Sequence, residues 1–177
     1  EAMRGLAYVD KDLPLGKGRV LMEPVVLARL LQLADVQETD VALVIGAGTG
    51  YSAAVLAKMA RSVVALESDG ALTEQAARTI GGLSIGNVTV VMGDLRSGWS
   101  ARGPYDVILL SGAVSAIPEA LKLQLADGGR LVAVVQQGPI GQATLVTRIG
   151  SSFGSRQEFD AATAVLPGFE SQPKFVF

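Results

Sequence analysis

Short apolar runs recur along the chain, and segments with helical periodicity lie between them. The runs are apolar on both faces, which is typical of strands that have helices packed on both sides of a sheet. Strands that alternate with helices form βαβ units, and such units build a mostly parallel sheet. The sequence therefore predicts an α/β fold. The predicted strands cover 41–45 (VALVI), 63–67 (VVALE), 88–92 (VTVVM), 106–110 (DVILL) and 130–135 (RLVAVV).

Two prolines mark the beginnings of predicted helices. A proline suits the first helical position because its missing N–H would have no partner there in any case. Pro24 and Pro118 each stand at the start of a stretch with helical periodicity. The four predicted helices cover 24–34, 51–60, 71–80 and 117–125.

The C-terminal part of the chain has a different pattern. Two apolar stretches, 143–149 (ATLVTRI) and 159–166 (FDAATAVL), flank a polar, glycine-containing joint at 150–158. This arrangement is typical of an antiparallel hairpin, which we expect at the edge of the sheet. The run at 174–177 (KFVF) predicts one further short edge strand.

The composition favours one folded domain. Of the 177 residues, 49% are hydrophobic and 18% are charged, so the chain is long and apolar enough to bury a substantial core. The net charge of −2 gives no sign of attraction to nucleic acid or to a membrane surface. No apolar run approaches the roughly 20 residues of a membrane-spanning helix. Neither kind of partner is therefore expected, and the composition leaves the oligomeric state open.

The sequence contains no cysteine and no histidine. Their absence excludes disulfides, thiol nucleophiles, Cys/His zinc sites and every mechanism that uses an imidazole base. We therefore predict no metal site, and any chemistry must come from carboxylates, hydroxyls, lysine, backbone groups or a bound cofactor. A chain without cysteine is compatible with the cytoplasm, which is the expected location.

A glycine-rich loop, "LVIGAGTGYS", follows the first predicted strand of the sheet. Its glycines, Gly46, Gly48 and Gly50, have the spacing G-x-G-x-G, whereas a dinucleotide-binding loop has G-x-G-x-x-G. Glycines let a ligand approach the backbone, and the helix that follows offers unpaired N–H groups to an anion. A carboxylate would be held there as readily as a phosphate. A tight turn without a ligand is the alternative.

Acidic residues follow the next two predicted strands. Glu67 ends the second strand, where an acid can accept hydrogen bonds from both hydroxyls of a ribose. The alternative for Glu67 is a helix N-cap, although Ser68 and Asp69 would cap equally well. Asp94 follows Gly93 after the third strand, where it could accept a hydrogen bond from an adenine amine. A solvated loop aspartate is the alternative for Asp94.

Several short segments follow one another in the order found in a known class of enzymes. The segments "GAGTGY", "ALES", "GDL", "PYDVILLSGAVSAIP" and "QLADGGRLVAVV" resemble those of the S-adenosylmethionine-dependent methyltransferases. The opening "AYVDKDLPLGKG…EP", together with "GNVTVVMGD" and the "IP…QL…GGRLV" segment, resembles more narrowly the protein-L-isoaspartate O-methyltransferase family. The likeness covers about residues 7–168 and is strongest in the cofactor half of the chain.

The resemblance implies a more detailed fold. It implies a single Rossmann-like methyltransferase domain over residues 1–177, with a mostly parallel seven-stranded sheet, helices on both faces and an antiparallel C-terminal hairpin. In the family a helical segment precedes the "AY.D…LP.G.G" stretch, so we expect that an N-terminal segment is missing before residue 1.

The resemblance also implies the cofactor, S-adenosyl-L-methionine, and the residues that bind it. The glycine loop would line the methionine part of the cofactor, with Tyr51 packed against the loop. Glu67 would hold the ribose, and Asp94 with Leu95 would frame the adenine. The predicted cofactor-binding residues are Gly46, Ala47, Gly48, Gly50, Tyr51, Glu67, Ser68, Asp94 and Leu95.

The function implied by the resemblance is carboxyl O-methylation of L-isoaspartyl residues in damaged proteins. A carboxylate acceptor is already an anion at neutral pH, so the transfer needs no general base. The protein has mainly to align the reacting atoms and exclude water, which a site without histidine can do. The alternatives are a divergent relative that methylates another acceptor and a cofactor-binding relative without transferase activity. A nicotinamide-dependent dehydrogenase is disfavoured by the glycine spacing and the absence of histidine.

Two positions depart from the family pattern. Val44 stands where the family has an acid, which we expect to weaken cofactor binding. Met22 stands at the substrate-loop position, where the family has a serine that contacts the isoaspartyl substrate. Ser111, after the fourth predicted strand, is the candidate to supply the missing hydroxyl near the acceptor, and its alternative is the capping of a turn.

Charged residues of the same N-terminal loop bear on the substrate as well. Lys17 and Arg19 could attract an acidic acceptor, whereas Glu23 could repel one. The alternative, solvated loop charge, is the favoured interpretation of Lys17 and Arg19.

Overall fold

The computed structural model describes residues 10–171, and in that range it contains nine strands and four α-helices. The strands, in chain order, are β1 Leu13–Gly16, β2 Arg19–Leu21, β3 Val41–Ile45, β4 Ser62–Glu67, β5 Val88–Met92, β6 Tyr105–Val114, β7 Leu125–Val135, β8 Gly141–Ile149 and β9 Ser152–Ala161. The helices are α1 Pro24–Leu33, α2 Tyr51–Leu56, α3 Gly70–Gly82 and α4 Glu119–Lys122.

Seven of the strands form one sheet in the order β5-β4-β3-β6-β7-β8-β9. The pairs from β5 to β7 are parallel, and β8 and β9 complete the sheet with antiparallel pairs. The α/β prediction with a seven-stranded, mostly parallel sheet is therefore confirmed. The chain moves outward from β3 to β5 and then returns to the other side of β3 with β6. Open sheets of this kind bind ligands at such a reversal, beyond the carboxyl ends of the strands.

Side chains of the central strand β3 divide the core into two layers. Ala42 and Val44 belong to an apolar cluster on the face that α1 covers, whereas Leu43 and Ile45 belong to a cluster on the opposite face. This alternation follows from the two-residue period of a strand. Because both faces are buried, the strand shows no polar positions, as its sequence indicated.

The five predicted strands and the helices at 24–34 and 71–80 are confirmed, but two predicted helices were too long. Helix α2 ends at Leu56, and beyond it the hydrogen bonds are irregular, because the amides of Lys58 and Met59 donate to carbonyls three residues earlier, whereas that of Ala60 donates to Leu56, four residues earlier. This tighter hydrogen bonding is common at helix ends and does not continue the helix. Helix α4 covers only Glu119–Lys122 of the predicted 117–125, and Pro118 is its N-cap rather than its first residue.

The C-terminal hairpin is present, but its second strand was predicted in the wrong place. Strand β9 begins at Ser152, inside the segment predicted as the joint, and it ends at Ala161. Most side chains of β9 are exposed because it is the edge strand, so its sequence is polar and glycine-containing. The segment after it contributes only an isolated parallel bridge between Val165 and Ala113. The predicted strand at 174–177 lies outside the described residues.

A small hairpin near the N-terminus was not predicted. Strands β1 and β2 form a separate antiparallel pair, and the two residues between them, Lys17 and Gly18, have φ angles of 51° and 73°. Two consecutive positive φ angles are the geometry of a type I′ turn, which joins the strands tightly. Within residues 10–171, no helix is both long enough and apolar enough to cross a membrane.

Candidate cofactor site

The glycine loop joins β3 to α2 at the carboxyl edge of the sheet. Gly46, Gly48 and Gly50 have φ angles of 77°, 57° and 93°, a region that residues with a side chain rarely adopt. The amides of Gly46 and Ala47 both donate to the carbonyl oxygen of Leu66 in the neighbouring strand, at 2.9 and 3.0 Å. The loop is therefore fixed against β4, and glycine is required by its backbone conformation.

Glu67 lies directly beside the glycine loop. The amide of Gly48 donates to its Oε2 at 2.7 Å, and the amides of Ser68 and Asp69 donate to its Oε1 at 2.8 and 3.1 Å. Glu67 is fully buried. The structure thus brings together two predicted elements of the site that are about twenty residues apart in the sequence.

The helix-cap alternative for Glu67 is excluded. The N-cap of α3 is Asp69, whose Oδ1 accepts hydrogen bonds from the amides of Ala71 and Leu72 at 2.9 and 3.1 Å. Glu67 therefore does not cap the helix, and its carboxylate accepts a hydrogen bond from the glycine loop instead.

Arg19 is the main partner of Glu67, and this pairing was not predicted from the sequence. The Nη1 atom of Arg19 donates to Oε1 of Glu67 at 2.7 Å, and Nη2 donates to Oε2 at 2.9 Å. Only 5% of Arg19 is exposed, so its interpretation as solvated loop charge was wrong. The β1–β2 hairpin places the guanidinium here, and a planar fork on a carboxylate is the strong geometry for such a pair.

The electrostatics of Glu67 keep its carboxylate charged. Burial raises the pKa of Glu67, but the hydrogen bond and charge of Arg19 and the amides of Asp69 and Gly48 lower it more. The net result is a pKa below the ordinary value of 4.5. Each carboxylate oxygen is hydrogen-bonded to the guanidinium and to at least one backbone amide. Glu67 is consequently a buried, ionised and fully hydrogen-bonded acceptor.

The predicted adenine residues lie next to this site. Gly93 donates its amide to the carbonyl oxygen of Glu67 at 3.0 Å, which places Asp94 and Leu95 beside the end of β4. The exposed Asp94 accepts hydrogen bonds from the amides of Arg96 and Ser97 at 3.3 and 3.1 Å, so it shapes its own loop. Leu95 is buried. Contact of Asp94 and Leu95 with adenine stays a prediction.

Neither of the two departures from the family pattern is exposed to solvent. Met22 is 2% exposed and Val44 is fully buried, and both belong to the apolar cluster under α1. A serine and an acid at these positions would place polar groups in that cluster. The two departures therefore lie in the same apolar cluster, which separate inspection of each position in the sequence did not reveal.

Ser111 and Tyr51 both lie at the carboxyl edge of the sheet. Ser111 was predicted to follow the fourth strand, but β6 continues through Val114, so Ser111 lies inside the strand and is half-buried. It comes immediately after Leu110, the last residue of β6 that pairs with β3. Tyr51 begins α2 and is 39% exposed. Catalytic or binding roles for these residues stay predictions.

Leu166 is a further residue at this edge that the sequence did not single out. The chain after β9 crosses the end of β6, where Ala113 donates to the carbonyl of Ala164 and Leu166 donates back to Ala113. A Cβ atom on Gly46 would lie 2.6 Å from a methyl carbon of Leu166, and one on Gly112 would lie 2.7 Å from it. Leu166 therefore packs between the ends of β3 and β6, and a larger residue at either glycine would displace its side chain.

These features define a nucleoside-binding α/β domain, because a glycine loop and an acid on the next strand meet where the strand order reverses. The family model for protein-L-isoaspartate(D-aspartate) O-methyltransferase matches residues 1–160. The chain belongs to this family of methyltransferases.

Individual relatives agree with this assignment. The chain is 44% identical over 132 residues to protein-L-isoaspartate O-methyltransferase 1 of Rhodopseudomonas palustris, which covers 75% of this chain and 54% of that protein. It is 40% identical over 167 residues to the protein-L-isoaspartate O-methyltransferase of Methylorubrum extorquens, covering 93% of this chain and 72% of the relative. The chain thus spans about half of the first relative and nearly three quarters of the second.

Solved structures show the same fold. A protein-L-isoaspartate O-methyltransferase structure superposes with a TM-score of 0.79 at 27% identity, covering 85% of this chain and 49% of the other. A Plasmodium falciparum protein described as a protein-L-isoaspartate O-methyltransferase in complex with S-adenosyl-L-homocysteine also has a TM-score of 0.79, at 21% identity. That alignment covers 92% of this chain and 83% of the Plasmodium protein.

The residues at the carboxyl edge fit S-adenosylmethionine in one respect, because Glu67 is an ionised acceptor of the kind that holds a ribose. Arg19 stands in the way, since it already binds both oxygens of that acceptor. The positions that Cβ atoms would take on the loop glycines are also filled by the protein itself, by Leu166 at Gly46, Leu15 at Gly48 and Ala76 at Gly50.

Proposed function

We propose that this protein transfers a methyl group from S-adenosyl-L-methionine to the carboxylate of L-isoaspartyl residues in damaged proteins. Family membership supports the reaction, and one structural observation supports the site. That observation is the buried Glu67, which lies hydrogen-bonded to Gly48 of the glycine loop at the reversal of the strand order. Damaged proteins or peptides with isoaspartyl residues are the proposed substrates.

The chain's own residues have a limited task in this reaction. S-adenosylmethionine, when bound, supplies a methyl group on a positively charged sulfur. We assign the methionine part to the backbone of the loop from Gly46 to Gly50, the ribose to Glu67 and the adenine to Asp94 and Leu95. The acceptor carboxylate is ionised at neutral pH, so no side chain has to remove a proton. Orientation of the acceptor and exclusion of water are then the main contributions of the protein.

The acceptor would approach along the carboxyl end of β6. Ser111 is the hydroxyl-bearing residue that we assign to this approach, because it is half-buried at the same edge as the glycine loop. The Ser111 hydroxyl can donate to a carboxylate oxygen and thereby orient it.

A second candidate function, methylation of another acceptor, is favoured by one observation. Met22 and Val44 replace two polar residues of the family pattern and are packed in the same apolar cluster. A change of both positions toward apolar packing removes the hydroxyl that the family offers to an isoaspartyl substrate. An acceptor that does not need this hydroxyl would be unaffected.

The test is the transfer of labelled methyl from S-adenosylmethionine to an isoaspartyl peptide, with the aspartyl peptide of the same sequence as the control. Label on the isoaspartyl peptide alone supports the proposal. If the protein binds the cofactor in calorimetry but labels neither peptide, the result supports methylation of another acceptor or cofactor binding without transferase activity. Binding of NAD instead of S-adenosylmethionine would contradict the proposed methyl transfer.

Restoration of the family serine, Met22→Ser, is a poor test of the acceptor. Met22 is buried in an apolar cluster, so the substitution leaves a cavity and an unpaired hydroxyl there. The fold would lose stability before the substrate preference could be measured. Variation of the peptide is therefore more informative than reversion of this residue.

We propose that the protein works in the cytoplasm, without a nucleic-acid or membrane partner. The absence of cysteine from the sequence and the small net charge of −2 support this view.

A further inference from the structure

The Arg19–Glu67 pair uses the same atoms that the proposed ribose contact needs. The two Nη atoms of Arg19 lie 2.7 and 2.9 Å from the two carboxylate oxygens of Glu67. Backbone amides, including that of Gly48 at 2.7 Å, take further positions on the same oxygens. The carboxylate is fully buried, so a ribose cannot approach it while the guanidinium is in place.

The two hydroxyls of a ribose and the two N–H groups of a guanidinium are chemically alike in one respect. Both present a pair of neighbouring donors that a single carboxylate accepts side by side. We propose that Arg19 and the cofactor's ribose compete for Glu67, so that the cofactor binds only when the guanidinium leaves. This inference rests on the proposed function, because it assumes that the nucleoside is held by Glu67.

The structure allows Arg19 to leave at a modest cost to Glu67. The amides of Gly48, Ser68 and Asp69 remain on the carboxylate after the guanidinium departs, so the buried charge keeps three hydrogen bonds. The ribose hydroxyls would then replace the two bonds that Arg19 had made. Only the guanidinium itself needs a new environment.

The position of Arg19 in the fold also favours movement. Arg19 begins β2, and the β1–β2 hairpin is separate from the seven-stranded sheet. At the tip of the hairpin, the ion pair between Lys17 and Asp69 is 2.6 Å long, but the Lys17 side chain is 80% exposed. Exposed ion pairs hold such a segment only weakly. Because β1 and β2 pair only with each other, a movement of the Arg19 side chain breaks no hydrogen bond of the seven-stranded sheet.

A consequence for affinity follows from this competition. Only molecules whose guanidinium has left Glu67 can bind the cofactor. The apparent dissociation constant of the cofactor therefore equals the intrinsic constant divided by the fraction of such molecules. Arg19 is then a residue that sets cofactor affinity without contacting the cofactor. Its removal should make binding tighter, which is the opposite of what the loss of a ligand-binding residue does.

The experiment is calorimetric titration of S-adenosyl-L-homocysteine into the wild type, Arg19→Gln and Arg130→Gln. Arg130 is the matched control, because it forms a second arginine–carboxylate pair, with Asp40, at the other edge of the sheet. We expect about tenfold tighter binding for Arg19→Gln, as for a binding-competent fraction near one tenth, and no change for Arg130→Gln. Unchanged or weaker binding by a folded Arg19→Gln overturns the competition.

The outcomes separate this inference from the proposed function. If none of the three proteins binds S-adenosyl-L-homocysteine, the proposed function fails. If the wild type binds it and Arg19→Gln binds no more tightly, only the competition fails. Thermal melting by circular dichroism shows whether each variant is folded before it is titrated.

A second measurement follows the guanidinium of the wild type directly and remains decisive if Arg19→Gln does not fold. In protein labelled with ¹⁵N-arginine, the guanidinium signals of Arg19 can be assigned by their absence in Arg19→Lys. We expect separate, protected Nη signals for the paired guanidinium, and their movement to the positions of free arginine on saturation with S-adenosyl-L-homocysteine. The signals of Arg130 should stay in place. Arg19 signals that remain those of a paired guanidinium in the saturated protein overturn the proposal.

Discussion

Two arginine–carboxylate pairs lie at opposite ends of the strands of the same sheet. They differ in whether another molecule could replace the arginine as the donor to the carboxylate. At the carboxyl edge, both Nη atoms of Arg19 bind the carboxylate of Glu67. At the amino edge, Arg130 binds Asp40 at 2.6 Å and the carbonyl oxygens of Ala34 and Asp35 at 2.9 Å each. Arg130 therefore connects three separate acceptors around the end of α1.

The difference shows which of the two arginines a ligand could replace as hydrogen-bond donor. The backbone carbonyls that Arg130 binds lie at the end of α1, where they have no partner within the helix. Glu67 instead offers two oxygens of one carboxylate, which any pair of adjacent donors can bind. Arg130 thus acts as a structural brace, whereas Arg19 occupies an acceptor that the proposed cofactor also uses.

The largest expected effect comes from Glu67→Ala. Removal of the carboxylate leaves the guanidinium of Arg19 buried without a partner, so we expect a loss of about 3–5 kcal/mol in the free energy of unfolding. Urea denaturation followed by circular dichroism measures this loss. The double variant Arg19→Met with Glu67→Met should be more stable than Glu67→Ala, since no unpaired charge remains. Equal stability of the wild type and Glu67→Ala would contradict the buried pair.

Arg130→Gln should have the next largest effect on the free energy of unfolding, and it tests the contrast between the two arginine–carboxylate pairs. The substitution removes the donors to Asp40, Ala34 and Asp35, of which Asp40 and Ala34 are buried and Asp35 is exposed. We expect a loss of about 1–3 kcal/mol in the free energy of unfolding, measured in the same urea series. Affinity for S-adenosyl-L-homocysteine should not change. A large change in that affinity would mean that the amino-edge pair is also connected to the site.

Much of the fold could be predicted because the relevant signals are local. The strands 41–45 and 88–92 are apolar runs of the right length, and the structure reproduces their bounds. Strand β9 was misplaced because an edge strand with two exposed faces has no apolar pattern to detect. The predicted helix 51–60 was too long because its C-terminal hydrogen bonds become three-residue turns, which periodicity does not reveal.

The site was less predictable because its decisive contact is long-range. Glu67 and the glycine loop could be proposed from strand ends alone, since parallel strands bring their carboxyl ends together. The pairing of Arg19 with Glu67 spans 48 residues and depends on a hairpin outside the main sheet. Leu166 likewise reaches Gly46 from the far end of the chain. Neither contact follows from spacing or composition.

The pH dependence of stability provides a smaller but specific test of the carboxyl-edge pair. The folded-state pKa of Glu67 lies below its ordinary value of 4.5, so its contribution to stability is fully present above that pH. The contribution is lost as the pH falls through the folded-state pKa. The stability difference between the wild type and Glu67→Gln should therefore shrink on acidification below pH 4.5, when measured by urea denaturation.

Arg19→Gln is the control for this pH dependence. The hydrogen bond and the charge of Arg19 are the main causes that lower the pKa of Glu67, so their removal brings that pKa back toward or above its ordinary value. An acid-dependent stability loss of the same size in Arg19→Gln would show that the pair does not cause it.

The smallest effect is expected for Lys17→Ala, two positions from Arg19 in the same hairpin. Lys17 binds Asp69 at 2.6 Å, but its side chain is 80% exposed, and water can replace the lost contact. We expect no measurable change in the melting midpoint and no change in affinity for S-adenosyl-L-homocysteine. If Lys17→Ala instead tightened cofactor binding as much as Arg19→Gln, the position of the whole hairpin would govern access to Glu67. The specific competition between guanidinium and ribose would then be wrong, because an exposed lysine offers nothing to the buried carboxylate.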